Sequence, residues 1–286
     1  MPVKSARLAC PERDRSNSTL AEHFALNTPH LRFLRAVREL ELDRALAHFP
    51  RTQHGGAIQT VLEIGAGTGQ QAKALSLKGY RVVAIDLPSS HYRNDRVFEI
   101  KEYDGHIIPV PDRSIDIVFS SNVLEHIRDI DGFLQEQQRV MKNGGIAVHV
   151  LPSTACRLWG IPAHYIWLAR RIFALLTSKL KRAVPDSAST DIPRRPQSFR
   201  DWLITLFPMP HGERGNTVTE AYYFSRHWWL QKFRQHRFVI VQVGGNGVFY
   251  TMANALSDSL SLKARSRLAR VFGSACHIYA LRRDEA

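Results

Sequence analysis

Val61-Leu62-Glu63-Ile64-Gly65-Ala66-Gly67-Thr68-Gly69 is the stretch on which the fold turns. An apolar run, Thr60–Ile64, reads as a strand and runs into three glycines at alternating positions. Gln70–Lys78 then reads as a helix, closed by Gly79. A strand, a glycine turn and a helix in this order let the backbone approach a ligand closely, and the helix start offers unpaired N–H groups. Two familiar phosphate loops do not fit. The dinucleotide fingerprint needs glycine at the sixth position, where Gln70 stands, and no GKS or GKT ends the turn.

Two carboxylates bracket this turn. Glu63 lies near the end of a buried strand, where a carboxylate is costly unless a cationic group pairs with it. Asp86 closes the next strand, Arg81–Asp86, and is placed to accept hydrogen bonds from ribose hydroxyls, although an aspartate before Leu87-Pro88 also suits a simple turn. Together they favour a nucleoside that carries a positive charge and lacks a pyrophosphate.

Further along, Val97–Tyr103 is expected as a third strand and Ile115–Ser120 as a fourth. Ile130–Met141 reads as a helix, Asn143-Gly144-Gly145 as a turn and Ile146–Leu151 as a fifth strand. Strands alternating with helices at this spacing imply a parallel sheet covered on both faces. Ahead of it, Thr28-Pro29 starts an amphipathic helix with apolar residues at helical intervals from Leu31 to Phe49. Beyond it, Ser225–Gln235 and Ser259–Phe272 read as helices, and Phe238–Val243 and Cys276–Leu281 as strands.

The sequence resembles the class I S-adenosylmethionine-dependent methyltransferases, in particular the methyltransferase type 11 group. Glu63–Gly69 matches the first motif of that family, and Asp86 its ribose-binding acid. Tyr103–Val118 resembles the segment from the third to the fourth strand, Ser120–Ile127 the motif after strand four, and Lys142–Leu151 the turn into strand five. The resemblance implies a Rossmann-like, doubly wound, seven-stranded α/β sheet that binds S-adenosyl-L-methionine. It places Gly65, Ala66, Gly67 and Gly69 along the methionine moiety with Glu63 near its ammonium. Asp86 would hold the ribose, with Leu87 in the same cofactor-binding set; Asp104 and Gly105 would meet the adenine amino group. Asn122 would lie beneath the cofactor near the transferred methyl. His126 is the first candidate for a base, though a histidine here also packs locally; His164, His211 and His227 lie in the variable part, and His149 is expected to be buried.

Four segments are expected: a disordered basic leader at 1–27, a cofactor-binding core at 28–151, an inserted helical cap at 152–225, and C-terminal strands and helix at 226–286 that complete the core. The cap carries the apolar, aromatic run Leu158–Leu176, which contains Arg170 and Arg171 and is followed by Lys179, Lys181 and Arg182. It reads either as a lid on the core or as a helix at an anionic membrane surface.

Lys and Arg number 39 against 26 Asp and Glu, a formal charge of +13 that favours anionic surroundings. No NPPY-like tetrapeptide follows strand four and no RNA-binding module is recognisable, so nucleic acid is the less favoured acceptor. The three cysteines are far apart and show no zinc spacing, so no metal is expected. With no secretory run at the start and no long apolar stretch, the expectation is a cytoplasmic protein, with peripheral contact at the inner membrane face as an option. The acceptor is expected to be a small molecule, a glycan or a lipid-linked molecule, methylated on oxygen or nitrogen. The alternatives are an RNA or protein acceptor, or a non-catalytic binding protein. Nothing in the sequence sets an oligomeric state.

Overall fold

Strands buried on both faces need mostly apolar side chains, and the central strands have them apart from a few buried polar groups such as Glu63, Ser120 and His149. In the computed structural model, which describes residues 29–50, 57–180, 206–251 and 260–284, β1 is Thr60–Ile64, β2 Arg81–Asp86, β3 Ile100–Glu102, β4 Ile115–Ser121 and β5 Met141–Pro152. β6 is Phe238–Gly245 and β7 Cys276–Arg283. They form one seven-stranded sheet in the order 3-2-1-4-5-7-6. β1 to β5 pair in parallel, whereas β7 runs antiparallel to both β5 and β6. The leader at 1–27 and the basic stretch 181–197 fall outside the described residues.

The period of two along each strand sorts the core into two layers. Leu62, Ile64, Val118, Ala147 and Leu151 face α3 (Ile130–Val140) and α6 (Arg226–Gln235), where Phe133, Leu134, Trp229 and Phe233 fill the space. Val61, Ile117, Phe119, Val148 and Val150 face the opposite layer, with Leu42, Ala45 and Phe49 from α1 and its C-terminal turn (α1, Pro29–Leu46) and Leu75 from α2 (Gln70–Leu77). His149, fully buried, stacks on Phe233 at 5.9 Å between ring centroids. Its Nδ1 lies 2.8 Å from Ser120 Oγ, and its Nε2 accepts from Gln137 Nε2 at 3.0 Å. Desolvation holds the pKa of this ring down to about 3, so it is neutral.

Among the boundaries that depart from the sequence-based expectation, two lie in the parallel part of the sheet and change its shape. Strand β3 is shorter than Val97–Tyr103 because Val97 N–H bonds instead to Thr68 O, at 2.8 Å, in the glycine turn. The Asn143-Gly144-Gly145 turn lies inside β5 as an interruption: the register jumps from Ile115↔Met141 to Ile117↔Ile146. Gly144 is left-handed there, and a Cβ at Gly145 would come within 2.9 Å of Lys142 O.

After β5, α4 runs from Thr154 to Leu180, with Pro162 within it. A short helix, α5 (Glu220–Tyr223), follows the loop 206–219 and packs against α4. The last helix, α7 (Leu262–Phe272), is capped by Ser261, whose hydroxyl accepts from Ala264 N. Trp159 of α4 packs edge-on against Phe249 and Phe272 and donates its indole N–H to Phe272 O.

Candidate functional site

The parallel strands end together along one edge of the sheet, and the loops after β1, β2 and β4 meet there. At the first, Gly65, Gly67 and Gly69 have φ values of 66°, 56° and 77°, a left-handed backbone that disfavours side chains. Space forbids them as well. A Cβ at Gly65 would lie 2.5 Å from Val123, and one at Gly69 would lie 2.7 Å from Phe98. At Gly67 a Cβ would meet the exposed ring of Tyr92 at 3.4 Å. Val123, Tyr92 and Phe98, none singled out from the sequence, thus wall the turn.

Asp86 locks the turn to β2. Its Oδ2 accepts from Gly67 N at 3.0 Å and its Oδ1 from Leu87 N at 2.8 Å. Each carboxylate oxygen can take a second donor, so two hydroxyls of a ribose can be received without breaking either bond. Leu87 is exposed and lies 3.1 Å from a Cβ built at Gly105, so it shapes one wall beside the Asp104–Gly105 turn. Asp104 Oδ1 accepts from His106 N and Ile107 N, and those two bonds hold its pKa below the usual carboxylate range. Its carboxylate is exposed.

Glu63 is 2% exposed, and its Oε2 has no hydrogen-bond partner. Burial, and then the charge of Asp86, push its pKa up to about 8. An orphaned buried carboxylate beside a glycine cradle is the environment that the ammonium of a methionine moiety would satisfy. The residues present therefore fit S-adenosylmethionine, whose cationic amino group and ribose hydroxyls match these two carboxylates in chemistry.

After β4 the chain enters a different chemistry. Asn122 has φ 56°, and its side chain turns inward: Nδ2 donates to Ser121 Oγ at 3.3 Å, and Oδ1 accepts from Cys276 Sγ at 3.5 Å. Cys276 Sγ also lies 3.0 Å from Tyr250 OH, which donates to Glu41 Oε1 at 2.8 Å. Glu41, fully buried in α1, takes Asn246 Nδ2 on the same oxygen and Arg38 Nη1 on the other at 2.7 Å. Desolvation holds the Cys276 thiol and the Tyr250 phenol well above their ordinary pKa values, so both stay protonated.

His126 sits one turn beyond Asn122, exposed, with its Nε2 3.8 Å from Glu125 Oε1. Its ring meets that of His211 edge-on at 4.8 Å. Burial lowers the pKa of both imidazoles, that of His211 to about 4, where the neighbouring His126 adds to the effect. Glu125 is 1% exposed with no partner on either oxygen; burial raises its pKa to about 8 against the pull of Arg38 and Arg214. The loop carrying His211 is held by Glu220, whose Oε1 accepts from His211 N at 2.7 Å and from Gly212 N at 2.5 Å. Arg157 of α4 backs Glu220 at 2.9 Å. A cavity of about 210 Å³ opens here, lined in part by His211, His164, Arg157 and Met209. His227 lies elsewhere, on a depression along α6.

Residues 62–149 match a family described as a methyltransferase domain. Residues 62–149 form a class I S-adenosylmethionine-dependent methyltransferase domain. The chain is 36% identical over 98 residues to malonyl-[acyl-carrier protein] O-methyltransferase of Yersinia pestis, an alignment covering 33% of this chain and 36% of that protein. It is 28% identical over 152 residues to demethylmenaquinone methyltransferase of Thermobifida fusca, covering 46% and 64%. Among solved structures, the complex between the Haloferax volcanii Trm112 methyltransferase activator and a methyltransferase contains a chain with the same fold. It has a TM-score of 0.53 at 14% identity, over 96% of this chain and 98% of that one. The chain thus spans 36% of the first of these relatives and under two-thirds of the second. The described residues include no helix long and apolar enough to cross a membrane.

Proposed function

We propose that this chain transfers a methyl group from S-adenosylmethionine to an oxygen or nitrogen of a small or lipid-linked acceptor. The observation that carries the proposal is the pairing, on one sheet edge, of a left-handed glycine turn tied to Asp86 with the orphaned carboxylate of Glu63. When bound, the cofactor supplies a methyl group already activated on a sulfonium, so no protein nucleophile is needed. The chain's own work is alignment and proton removal. The glycine turn seats the methionine moiety against its backbone, and Val123 and Tyr92 limit its movement. Asp86 fixes the ribose through its two remaining lone pairs, and the unengaged oxygen of Asp104 meets the adenine amino group. Asn122, pinned by Cys276 and Ser121, keeps the floor of the cleft rigid.

His126 receives the acceptor's proton. Its lowered pKa leaves the imidazole neutral near pH 7 and able to accept, and Glu125 lies beside it. The acceptor enters over α4, whose exposed Leu158, Tyr165, Ile166 and Phe173 offer an apolar surface beside exposed Arg170. That combination suits a greasy molecule with an anionic head, or an anionic membrane that holds one. The relatives named for a carrier-bound malonyl group and for demethylmenaquinone keep small acceptors in view. Calorimetry with S-adenosylmethionine tests the cofactor half of the reading. Methyl transfer from labelled cofactor into a cell extract tests the acceptor half, with label in lipid or small-molecule fractions expected and label in RNA or protein counting against it.

A further inference from the structure

Glu125, His126 and His211 bring three potential ligand atoms within 4.8 Å of one another. Two of them adjoin in sequence, and the third arrives from a loop 85 residues further on (211 − 126 = 85). We propose that this cluster binds a divalent first-row transition ion of the zinc or manganese class. The proposal rests on the methyltransferase reading only in where it puts the ion, at the acceptor side of the cleft.

The buried carboxylate is the decisive member. Both oxygens of Glu125 are shielded from solvent and take no hydrogen bond from another residue. The two guanidinium groups near enough to answer it are engaged elsewhere. Arg38 bonds Glu41 and lies 3.5 Å from Ser121 Oγ, and Arg214 donates to the backbone oxygens of Leu124 and Ile127. A carboxylate left so is expected to have a partner that the polypeptide does not supply. Two imidazoles beside it make the partner a metal ion: one carboxylate and two histidines form a common donor set for zinc and its neighbours, and they leave positions open.

The geometry needs little adjustment. Ligand atoms about 2.0–2.2 Å from a tetrahedral ion lie roughly 3.4 Å apart. Glu125 Oε1 and His126 Nε2 are already 3.8 Å apart. Both histidines are exposed and can swing inward, whereas the carboxylate is fixed. Outer partners are also in place. Glu220 holds the His211 backbone, and Glu213 N–H bonds Glu125 O at 3.0 Å, which ties the two ligand segments together. The cavity beside His211 leaves room for water or an acceptor oxygen on an open position. With the ion bound, this site replaces the base role proposed for His126: the imidazole becomes a ligand, and an acceptor hydroxyl on the open position would lose its proton to water more readily.

The test uses the full chain, stripped with chelator and titrated with Zn²⁺ and with Mn²⁺ against a chromophoric competitor. One ion per chain is expected. His126→Ala and His211→Ala should each weaken binding by at least about tenfold, the loss that even an outer partner costs, whereas His227→Ala should leave it unchanged. Glu125→Gln should weaken binding likewise; should that variant fail to fold, the two histidine variants still decide. No stoichiometric binding, or binding retained by the His126→Ala/His211→Ala double variant, overturns the proposal. Calorimetry with S-adenosylmethionine on the same preparations separates the two readings. Cofactor binding without metal binding sinks the metal site alone, and failure of cofactor binding sinks the methyltransferase reading.

Discussion

The glycine-turn edge and the side-chain network behind the loop after β4 are built in opposite ways. Around the glycine turn, most recognition elements lie within a few residues of one another, and much of the binding surface is backbone. Behind the loop after β4, the network of Arg38, Glu41, Asn122, Asn246, Tyr250 and Cys276 is side chain upon side chain, drawn from four distant segments. A backbone-built site constrains sequence tightly and locally. A site of long-range side chains can be remade without disturbing the sheet, so acceptor choice can change while the cofactor stays the same.

The largest effect should come from damaging the backbone-built half. Gly65→Val forces a Cβ into Val123 at a left-handed residue, and stability should fall by about 3 kcal/mol with cofactor binding lost. Denaturant unfolding and calorimetry would show both. If Gly65→Val bound the cofactor normally, the turn would not be its seat. Next, Asp86→Ala removes acceptors for Gly67 N–H and Leu87 N–H as well as for the ribose, and should weaken the cofactor by about 1–3 kcal/mol. Unchanged affinity in the calorimeter would sever the link between β2 and the nucleoside.

A third effect is a pH dependence rather than a loss. Glu63 titrates at about 8 when folded, above its ordinary value of 4.5. Between those two values the folded state holds a proton that the unfolded state has released. Without cofactor, stability from this group is therefore complete below about pH 4.5 and drains away as pH rises towards 8. Glu63→Gln should remove that slope, so the melting temperature of the variant should gain on the wild type from pH 5 to pH 8. Cofactor affinity should rise over the upper part of the same window in the wild type only, as the carboxylate ionises to meet an ammonium. Parallel melting curves for the two proteins would dismiss the assignment.

The smallest effect on the cofactor should come from the acceptor face. Trp159→Ala with Trp167→Ala should change S-adenosylmethionine affinity by less than about 0.5 kcal/mol while lowering acceptor turnover and sedimentation with anionic vesicles. Trp159 also anchors α4 to Phe249 and Phe272, so a melting curve must accompany the assay. Full turnover in a folded double variant would make α4 a bystander.

Legibility in the sequence followed the same division. The strand–glycine turn–helix at the cofactor edge was readable because apolar runs, glycines and terminal carboxylates sit in one short window. Val123, Tyr92 and Phe98 were not, because an apolar side chain announces burial but not what it touches. The Glu125–His126 pair lay inside a quoted motif, yet its third member was hidden: spacing rules for metal ligands search short intervals, and His211 comes from another loop. Arg38 and Glu41 were not singled out from the sequence; the fold carries them to Ser121 at the end of β4 and to Asn246 and Tyr250.

Strand β7 lies between β5 and β6, so a chain leaving the ribosome makes one side of β5 long before it makes the strand that covers it. The ladder positions at Val148 and Val150 wait for Ala280 and Ile278. From Pro152 to Cys276 the gap is 276 − 152 = 124 residues, which at about 5–20 residues per second is on the order of 6–25 s of synthesis. Throughout that interval a half-made sheet shows an open edge of apolar residues to the cell. The length of the intervening segment, whatever it does for the acceptor, also sets how long the nascent chain needs shielding.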